Sequence, residues 1–556
     1  MKRKKRRGPT APAQRRELRL DELTGIVERA KAALSDADHA TLKAAVETLA
    51  FLTQELEAKG TTVERLRKWL FGASTEKTSQ VLGDPPADAD AGDATGAAPD
   101  AKPKAPGHGR HGAAAYRGAA QVTVPHESLH RGDACPACLK GKVYPMAEPA
   151  VLVRVTGMAP LTATVYACER LRCNLCGEVF TAAAPPGVGA DKYDETAASM
   201  IGLLRYGAGL PFNRLETLQR GLGIPLPAAT QWELVERAAG QLAPAHDELI
   251  RQAAQGEVLH NDDTTMKVLA LMGAPHAAAG AGAAATTAGS AADARTGVYT
   301  SGIVAVGGGH RIALFFTGHQ HAGENLAAVL AQRATELPVP IQMSDLLSHN
   351  TAGDFTTLAA GCIAHSRRRY VEVADHFPAE CRFVLETLRE VYKHDALAEQ
   401  RHLSAAERLQ FHQAQSGPLM ADLEAWLRAQ FDERKVEPNS SLGEAISFMQ
   451  KHWSRLTLFL RVAGAPLDNN VCERALKKAI CHRKNSLFYK TLNGAHVGDV
   501  FMALIHTTEL NGADPFAYLV ALQRHHDEVV DEPAAWMPWN YQDALARLAT
   551  APASPP

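Results

Sequence analysis

The sequence lacks any apolar run long enough to cross a bilayer, although 46% of its 556 residues are hydrophobic. A membrane-spanning helix needs about 20 consecutive apolar residues. The first seven residues, Met1 to Arg7, are mostly basic and contain no apolar stretch of the kind found in a secretory signal. Together these absences predict a protein that stays in the cytoplasm and has no membrane partner.

The sequence also lacks an excess of charge of either sign, since its formal net charge is -2. Basic residues are nevertheless clustered at Lys2–Arg7, Arg15–Arg16, Arg367–Arg369 and between Lys477 and Lys490. A near-neutral chain with local basic patches is typical of a protein that contacts nucleic acid and also carries acidic metal ligands.

The sequence has few cysteines, and their number, nine, is odd, which argues against a disulfide framework. Two Cys-x-x-Cys pairs stand out, Cys135 with Cys138 and Cys173 with Cys176. Four thiolates can surround one structural Zn²⁺ tetrahedrally, and Cys168 is a nearby thiol that can replace one of them. We therefore predict a zinc ribbon.

A chain of this length is too long for one ordinary hydrophobic core, so we expect a multidomain α+β or α/β protein. Changes in composition and hydrophobic pattern divide it into segments: a basic arm with a short helix (1–37), a coiled-coil helix (38–77), a disordered linker (78–120), the zinc ribbon (121–185), a helical region (190–250), a mixed α/β domain (256–510) and a C-terminal helical tail (511–556).

The coiled-coil prediction depends on a heptad pattern. Apolar residues recur at every seventh position: Leu42, Leu49, Leu56, Val63 and Leu70. Such a stripe is buried against another helix, so residues 42–70 predict a homo-oligomer. The alternative is an amphipathic helix that packs on its own domain, because Lys59 and Gly60 interrupt the pattern.

The helical region at 190–250 has a break at Gly223-Ile224-Pro225, and a second helix opens after Pro227. Helix, turn and helix is the arrangement of a DNA-binding helix-turn-helix. A plain helical hairpin is an equal alternative, because the second helix does not begin with basic residues.

From Gly256 the chain alternates strand and helix patterns. A strand ends at Asp262-Asp263, and three more are predicted at Met266–Met272, Val298–Val306 and Arg311–Thr317. The segment 273–297, rich in Ala, Gly, Thr and Ser, is an enlarged hairpin loop between them. A helix at Gly323–Glu336 then leads to a strand that ends at Asp345.

Antiparallel strands, a crossover helix and a strand beside the first form the ribonuclease-H arrangement, which brings Asp262 and Asp345 together. Glu473 lies early in a later helix that opens at Asp468-Asn469-Asn470. A fifth strand at Ala360–His365 precedes a basic helix, and residues 375–464 are a helical insertion. Hard carboxylate oxygens suit Mg²⁺ or Mn²⁺, so these three acids predict a site for two such ions.

Several motifs resemble those of transposases of the insertion sequence 66 family. They are Leu210-Pro211-Phe212-Asn213-Arg214, His260-Asn261-Asp262-Asp263-Thr264, Gly361-Cys362-Ile363-Ala364-His365-Ser366-Arg367-Arg368, Asp468-Asn469-Asn470-Val471-Cys472-Glu473-Arg474, and Asn511-Gly512-Ala513-Asp514-Pro515. The chain departs from the family after Asp345, where Leu346-Leu347 replaces Gly-Tyr, and at Ser486, where Trp is usual. These departures indicate a divergent branch.

The resemblance implies a bacterial DNA transposase of the DDE type, with Asp262, Asp345 and Glu473 as catalytic metal ligands. Its expected partners are double-stranded DNA, namely the inverted repeats of an insertion sequence and the target, and small accessory proteins of the same element. It is expected at the nucleoid when bound. The predicted DNA contacts are Arg367, Arg368, Arg474, Lys477, Lys478, Arg483 and Lys484.

Two other functions fit the same residues. One is a non-catalytic, sequence-specific DNA-binding protein derived from a transposase, and the other is a metal-dependent nuclease that does not join strands. The basic residues beside Glu473 also fit a merely solvated helix face. His365 fits either a DNA contact or a structural histidine.

Overall fold

The computed structural model describes residues 26–31, 35–44, 46, 128–144, 158–172, 179–188, 191–272, 297–353 and 355–550. Contacts divide the chain into two units, residues 1–85 and 86–556. In the first unit, residues 26–30 and 36–44 are helical. Most of the predicted coiled coil, the linker and the loop at 273–296 lie outside the described residues, so these remain predictions. Among the described helices, none is long and apolar enough to span a membrane.

The second unit begins with short antiparallel pairings. Ala134 bridges Lys142, and strand β1 (Arg170–Arg172) pairs with β2 (Val179–Thr181). These pairings flank the positions of the two predicted Cys-x-x-Cys motifs.

A helical layer follows, made of α1 (Glu195–Gly202), α2 (Phe212–Gly221) and α3 (Ala228–Ala253). Gly223 adopts a positive φ of 79° in the predicted break, a conformation that favours glycine. Gln231 holds the two helices together, since its side-chain amide donates to the carbonyls of Phe212 and Leu226 at 3.1 and 3.0 Å. The helix-turn-helix order is as predicted, and its role in reading DNA remains a prediction.

The central sheet has five strands: β3 (Val258–Thr265), β4 (Tyr299–Gly307), β5 (His310–Gly318), β6 (Ile341–Ser344) and β7 (Leu358–Gly361). Their spatial order is β5-β4-β3-β6-β7. Strand β4 is antiparallel to both β3 and β5, whereas β6 runs parallel to β3, and β7 runs parallel to β6. Helix α4 (Ala322–Leu330) makes the crossover between β5 and β6. The predicted placement of the strand before Asp345 beside the strand of Asp262 is confirmed.

Two predicted strands were wrong in part. Met266–Met272 is not a strand: Val268 makes a single bridge to Tyr489, and Leu269–Leu271 form a 3₁₀ turn. The predicted strand Ala360–His365 ends at Gly361, because Cys362 is the cap of the helix that begins at Ile363. Apolar composition alone does not distinguish a short strand from a bridge or a helix start.

The chain then becomes helical. The helices are α5 (Ile363–Val373), α6 (Pro378–Gln400), α7 (Ala405–Asp432), α8 (Ser441–Lys451), α9 (Trp453–Leu456) and α10 (Asn470–Ser486). Helices α6 and α7 pack together, and α5 packs against α6 and α8. The predicted helical character of residues 375–464 is confirmed.

Helix α10 lies on the sheet because Gly302 of β4 has no side chain. A Cβ at Gly302 would lie 2.9 Å from the Leu476 side chain, and Cys472 donates its thiol hydrogen to the Gly302 carbonyl at 3.2 Å. The neighbouring residue, Ser301, accepts a hydrogen bond from Asn325 of α4 at 2.8 Å. Successive residues of a strand face opposite sides, so α4 and α10 cover opposite faces of the sheet.

The last helices are α11 (Leu492–Leu510), α12 (Pro515–Arg524), α13 (His526–Asp531) and α14 (Tyr541–Thr550). Helix α11 packs on β5, and α12 packs on α1 and α3. The core beneath them is continuous with the sheet, and its largest fully buried side chains include Tyr518, Phe501 and Phe315.

Candidate metal centre

Asp262 and Asp345 lie on neighbouring parallel strands. Strand β3 pairs with β6 so that Val258, Leu259 and His260 are opposite Ile341, Gln342 and Met343. Continuing this register by two residues sets Asp345, the residue after β6, beside Asp262. Both side chains are half-buried. The prediction that the first strand ends at Asp262-Asp263 was wrong, because β3 continues to Thr265; Asp262 lies within the strand, beside the position that directly follows β6.

Glu473 comes to this site from α10. Cys472, the preceding residue, is buried against Gly302, which is the ladder partner of Asp262. The Oε1 atom of Glu473 is buried and has no hydrogen-bond partner among the described residues. It lies 3.8 Å from Nδ1 of His365. A buried acceptor without a donor is costly unless something else satisfies it.

The pKa of Asp262 is shifted by its surroundings. Burial is the main cause that raises its pKa, to about 7. The backbone N–H of Asp263 donates to Oδ1 at 2.8 Å and lowers the pKa, whereas the negative charges of Asp345, Glu473 and Asp263 raise it further. Asp262 therefore lies within electrostatic range of both other predicted ligands. Like charges this close favour a proton or a cation between them.

Asn469 attaches the start of α10 to β3. It is fully buried; its Nδ2 donates to the Asn261 carbonyl at 3.0 Å, and its Oδ1 lies 3.1 Å from Nδ1 of His260. Its backbone N–H donates to Sγ of Cys362 at 3.3 Å. Burial lowers the pKa of His260 to about 4, so the ring is neutral at pH 7 and donates from Nδ1. These contacts fix the first turn of α10, and hence Glu473, relative to Asp262.

A second network of amides holds Asp345. Asn350 donates from Nδ2 to Oδ1 of Asp345 at 2.7 Å, and the backbone N–H of Leu347 donates to the same oxygen at 3.0 Å. The carbonyl of Asn350 accepts from Asn261 at 2.7 Å and from Gln342 at 2.6 Å. These amides were not among the predicted site residues. The signal in the sequence was a polar amide residue, Asn261 or Gln342, within each of the two predicted strands.

The chemistry of the donor set fits a hard divalent cation, although its three carboxylates are not among the described groups whose ligand atoms all lie within 4.8 Å of one another. Its members are carboxylates, one of which has an unsatisfied buried oxygen and another a raised pKa. Mg²⁺ and Mn²⁺ prefer such oxygen ligands. Cys362, His365 and Glu473 also offer ligand atoms within 4.8 Å of one another. However, burial raises the pKa of the Cys362 thiol to about 12, so it is a poor metal ligand.

The predicted DNA contacts occupy different environments. Arg474 and Lys477 are exposed on α10, and Lys484 is exposed near its end. Lys478 instead pairs with Glu509 at 2.8 Å, so contact with DNA would require that ion pair to open. Arg483 donates to the hydroxyls of Thr264 and Thr265 at 3.2 and 2.6 Å and supports the end of β3. Arg367 and Arg368 are half-buried on α5, close in sequence to His365.

The first predicted zinc pair forms a compact turn. The Cys135 N–H donates to the Gly141 carbonyl at 2.8 Å, and the Gly141 N–H donates to Sγ of Cys138 at 3.4 Å. This backbone bond, together with others, lowers the pKa of the Cys138 thiol and favours the thiolate. Cys168 is exposed, and Cys173 and Cys176 lie outside the described residues. Zinc binding therefore remains a prediction.

Comparison with known proteins gives related chains without assigned functions. The uncharacterized protein y4hP of Sinorhizobium fredii is 26% identical over 68% of this chain and 68% of its own length. The uncharacterized protein y4jD of the same organism is 32% identical over 33% of this chain and 36% of its own length. The chain thus matches about a third of y4jD. The model of the family described as Transposase IS66 family matches residues 192–497, more than half of the chain, and the chain belongs to that family.

Proposed function

We propose that this protein is a DDE-type DNA transposase that cuts the ends of an insertion sequence and joins them to target DNA. The observation that carries the proposal is geometric: the β3–β6 register sets Asp345 beside Asp262, and Cys472, next to Glu473, bonds Gly302, the ladder partner of Asp262. Residues more than 200 positions apart in the sequence come from two strands and a helix to reach the same part of the sheet. Family membership supports the same chemistry.

The sheet supports a ribonuclease-H-like core for this domain. Its order β5-β4-β3-β6-β7, with three antiparallel strands followed by a crossover helix and two parallel strands, is the order expected of such a core and supports this proposal. Ligand sites in open sheets of this kind lie at the carboxyl ends of the parallel strands. Asp345 directly follows β6 and is at such an end, and the strand register sets it beside Asp262 of β3.

Asp262, Asp345 and Glu473 would hold two Mg²⁺ or Mn²⁺ ions. When bound, such a pair supplies activation of an attacking oxygen and stabilisation of a leaving oxygen in phosphodiester cleavage and strand transfer. The amide of Asn350 orients Asp345 directly through a partly buried hydrogen bond, and the amide of Asn469 holds the start of α10 to β3 through a buried one. His365 lies beside the proposed ligands, with Nδ1 3.8 Å from Oε1 of Glu473.

DNA is the proposed partner. Arg474 and Lys477 are exposed on the helix that carries Glu473, so they lie where the phosphates beside a scissile bond would pass. Residues 135–176 are proposed to bind a structural Zn²⁺, and residues 42–70 to mediate self-association. Accessory proteins of the same element are a further proposed partner.

The test uses purified full-length protein with labelled inverted-repeat ends, a target plasmid and Mg²⁺. We expect joined products from the wild type, and none from Asp345→Asn or Glu473→Gln, while both variants still bind DNA. Asp543→Asn, a change to an exposed carboxylate on α14, is the matched control and should join strands normally.

Each other outcome has a clear meaning. Cut ends without joining would indicate a simple nuclease, and binding without cutting would indicate a regulator derived from a transposase. Joined products from Asp345→Asn would show that the ligand assignment is wrong.

A further inference from the structure

We propose that Asp263, His321 and His349 form a second metal site, for Zn²⁺, on the face of the sheet opposite Asp262. Each of the three offers a ligand atom, and these atoms lie within 4.8 Å of one another. Asp263 follows Asp262 on β3, and its ladder partner is Ser301, which faces α4. The site is therefore separate from the carboxylates described above.

Three different elements bring these residues together. His321 is the residue before α4, and His349 lies in the 3₁₀ turn Ser348–Asn350. The two elements are pressed against each other at Gly323, where a Cβ would lie 2.6 Å from the His349 carbonyl oxygen and would also clash with the Thr351 carbonyl. This close approach holds the rings of His321 and His349 with their centroids 4.6 Å apart.

The carboxylate of Asp263 is already oriented. Ser301 donates from its hydroxyl to Oδ1 at 2.7 Å, and His321 donates from Nδ1 to Oδ2 at 2.8 Å. Asn325 donates to the same serine oxygen at 2.8 Å. Hydrogen bonds of this kind to a ligating carboxylate orient metal ligands in proteins.

The chemistry of the set selects a transition metal over Mg²⁺. Imidazole nitrogens suit Zn²⁺, and two histidines with one carboxylate are a frequent set of three protein ligands that leaves a fourth position for water. The side chains of Asp263 and His321 are 8% and 19% exposed, and His349 is exposed, so an ion reaches the site from solvent. Nδ1 of His321 now donates to Asp263. If the ion binds this nitrogen, its proton moves to Nε2 or to solvent.

A histidine–carboxylate pair without metal is the simpler alternative. It accounts for His321 and Asp263 but gives no role to His349, whose ring lies against that of His321. A shared cation gives both rings a common partner, since each offers a nitrogen within 4.8 Å of the other ligand atoms. The second ring therefore favours the metal site.

Binding of an ion at this site would affect the proposed catalytic centre through the 3₁₀ turn Ser348–Asn350. His349 is next to Asn350, which holds Asp345 at 2.7 Å. A cation that fixes His349 thus restrains the residue that positions Asp345. This consequence rests on the proposed function, whereas the zinc site itself does not.

The experiment measures how many equivalents of zinc the protein binds. Full-length protein is stripped with a chelator and titrated with zinc against a competing zinc-binding dye, in excess Mg²⁺. We expect the wild type to bind one more equivalent than His349→Ala and one more than His321→Ala. His376→Ala, which removes an exposed histidine after α5, is the matched control and should keep the wild-type count. Circular dichroism establishes that each variant is folded.

Equal zinc counts in the wild type and both cluster variants would overturn the proposal. Cys138→Ser tests whether this site is separate from the cysteine motifs. If the two sites are independent, the double variant Cys138→Ser with His349→Ala should lose as much zinc as the two single variants together. Asp345→Asn keeps the zinc equivalent but loses strand joining. A failure of the proposed function would therefore appear in the joining assay and leave the zinc count unchanged.

Discussion

Asn350 donates a hydrogen bond from Nδ2 to Oδ1 of Asp345 at 2.7 Å, and the two residues are five positions apart in the sequence. Asn350 is fully buried, and its carbonyl accepts from Asn261 and Gln342, which lie on β3 and β6. The position of Asp345 is thus set by the two central strands of the sheet. A proposed metal ligand that is not itself in a strand gains the rigidity of the sheet in this way.

Replacement of Asn350 by alanine should impair strand joining without removing any ligand. Loss of an outer hydrogen bond to a metal ligand typically costs about 10–100-fold in metal affinity or activity. We expect a loss of this size at limiting Mg²⁺ and partial recovery at saturating Mg²⁺. Ser348→Ala, an exposed change in the same turn, should have little effect. Equal Mg²⁺ dependence of Asn350→Ala and wild type would contradict the positioning role.

Replacement of Asn469 by alanine should destabilise the fold. The change removes the partner of two buried groups, the His260 ring and the Asn261 carbonyl. Each buried group left unsatisfied costs about 1–3 kcal/mol. We expect a clear fall in the urea midpoint of unfolding, and a much smaller fall for Asn470→Ala, whose side chain bonds only the nearby Asp468. A midpoint for Asn469→Ala as high as that of the control would argue against this network.

The pKa of Asp262 predicts how stability depends on pH when divalent ions are absent. Burial, with the charges of Asp345 and Glu473, raises the pKa to about 7, above the ordinary value of 3.8. The native state then binds this proton more tightly than the unfolded state. The stability that the proton provides is lost as the pH rises towards 7, by at most about 1.4 kcal/mol per pH unit.

The comparison of wild type with Asp262→Asn isolates this effect. Other buried groups titrate in the same range, including His246 and His260, whose pKa values burial lowers to about 4, but they are common to both proteins. In a chelating buffer we expect the variant to gain stability relative to wild type between pH 5 and pH 8, by about 1–3 kcal/mol. Mg²⁺ should restore the wild type at pH 8. A difference that does not change with pH would show that Asp262 has an ordinary pKa.

The basic residues of α10 should differ in their effect on DNA binding. Arg474 and Lys477 are exposed, whereas Lys478 is 2.8 Å from Glu509. We expect Arg474→Ala and Lys477→Ala each to weaken binding and to reduce the slope of log affinity against log salt by about one. Lys478→Ala should leave the slope nearly unchanged and serves as the matched control. If all three variants behave alike, the exposed face of α10 is not the DNA contact.

Much of the fold follows from local pattern. The strand character of β3, β4 and β5, the crossover helix and the helical stretch after β7 were all predicted, as was the start of α10 at Asp468-Asn469-Asn470. Met266–Met272 was wrong because the buried Val268 pairs with Tyr489, about 220 residues later, and not with a neighbouring strand, while Leu269 and Met272 are exposed. Contact with a segment far away in the chain does not change the local pattern of apolar residues, so that pattern cannot predict it.

The sequence by itself determined which residue types were available at the proposed metal centre: three carboxylates, two after strand patterns and one in a helix rich in basic residues. Hydrophobic period and cap residues act over a few positions, so they place each acid within its own element. The tertiary structure alone decided that Asp263 faces away from Asp262 towards His321, that Asn350 and Asn469 hold the ligand elements, and that Lys478 is paired with Glu509. These contacts join positions far apart in the chain, and they exist only once the sheet has brought those positions together.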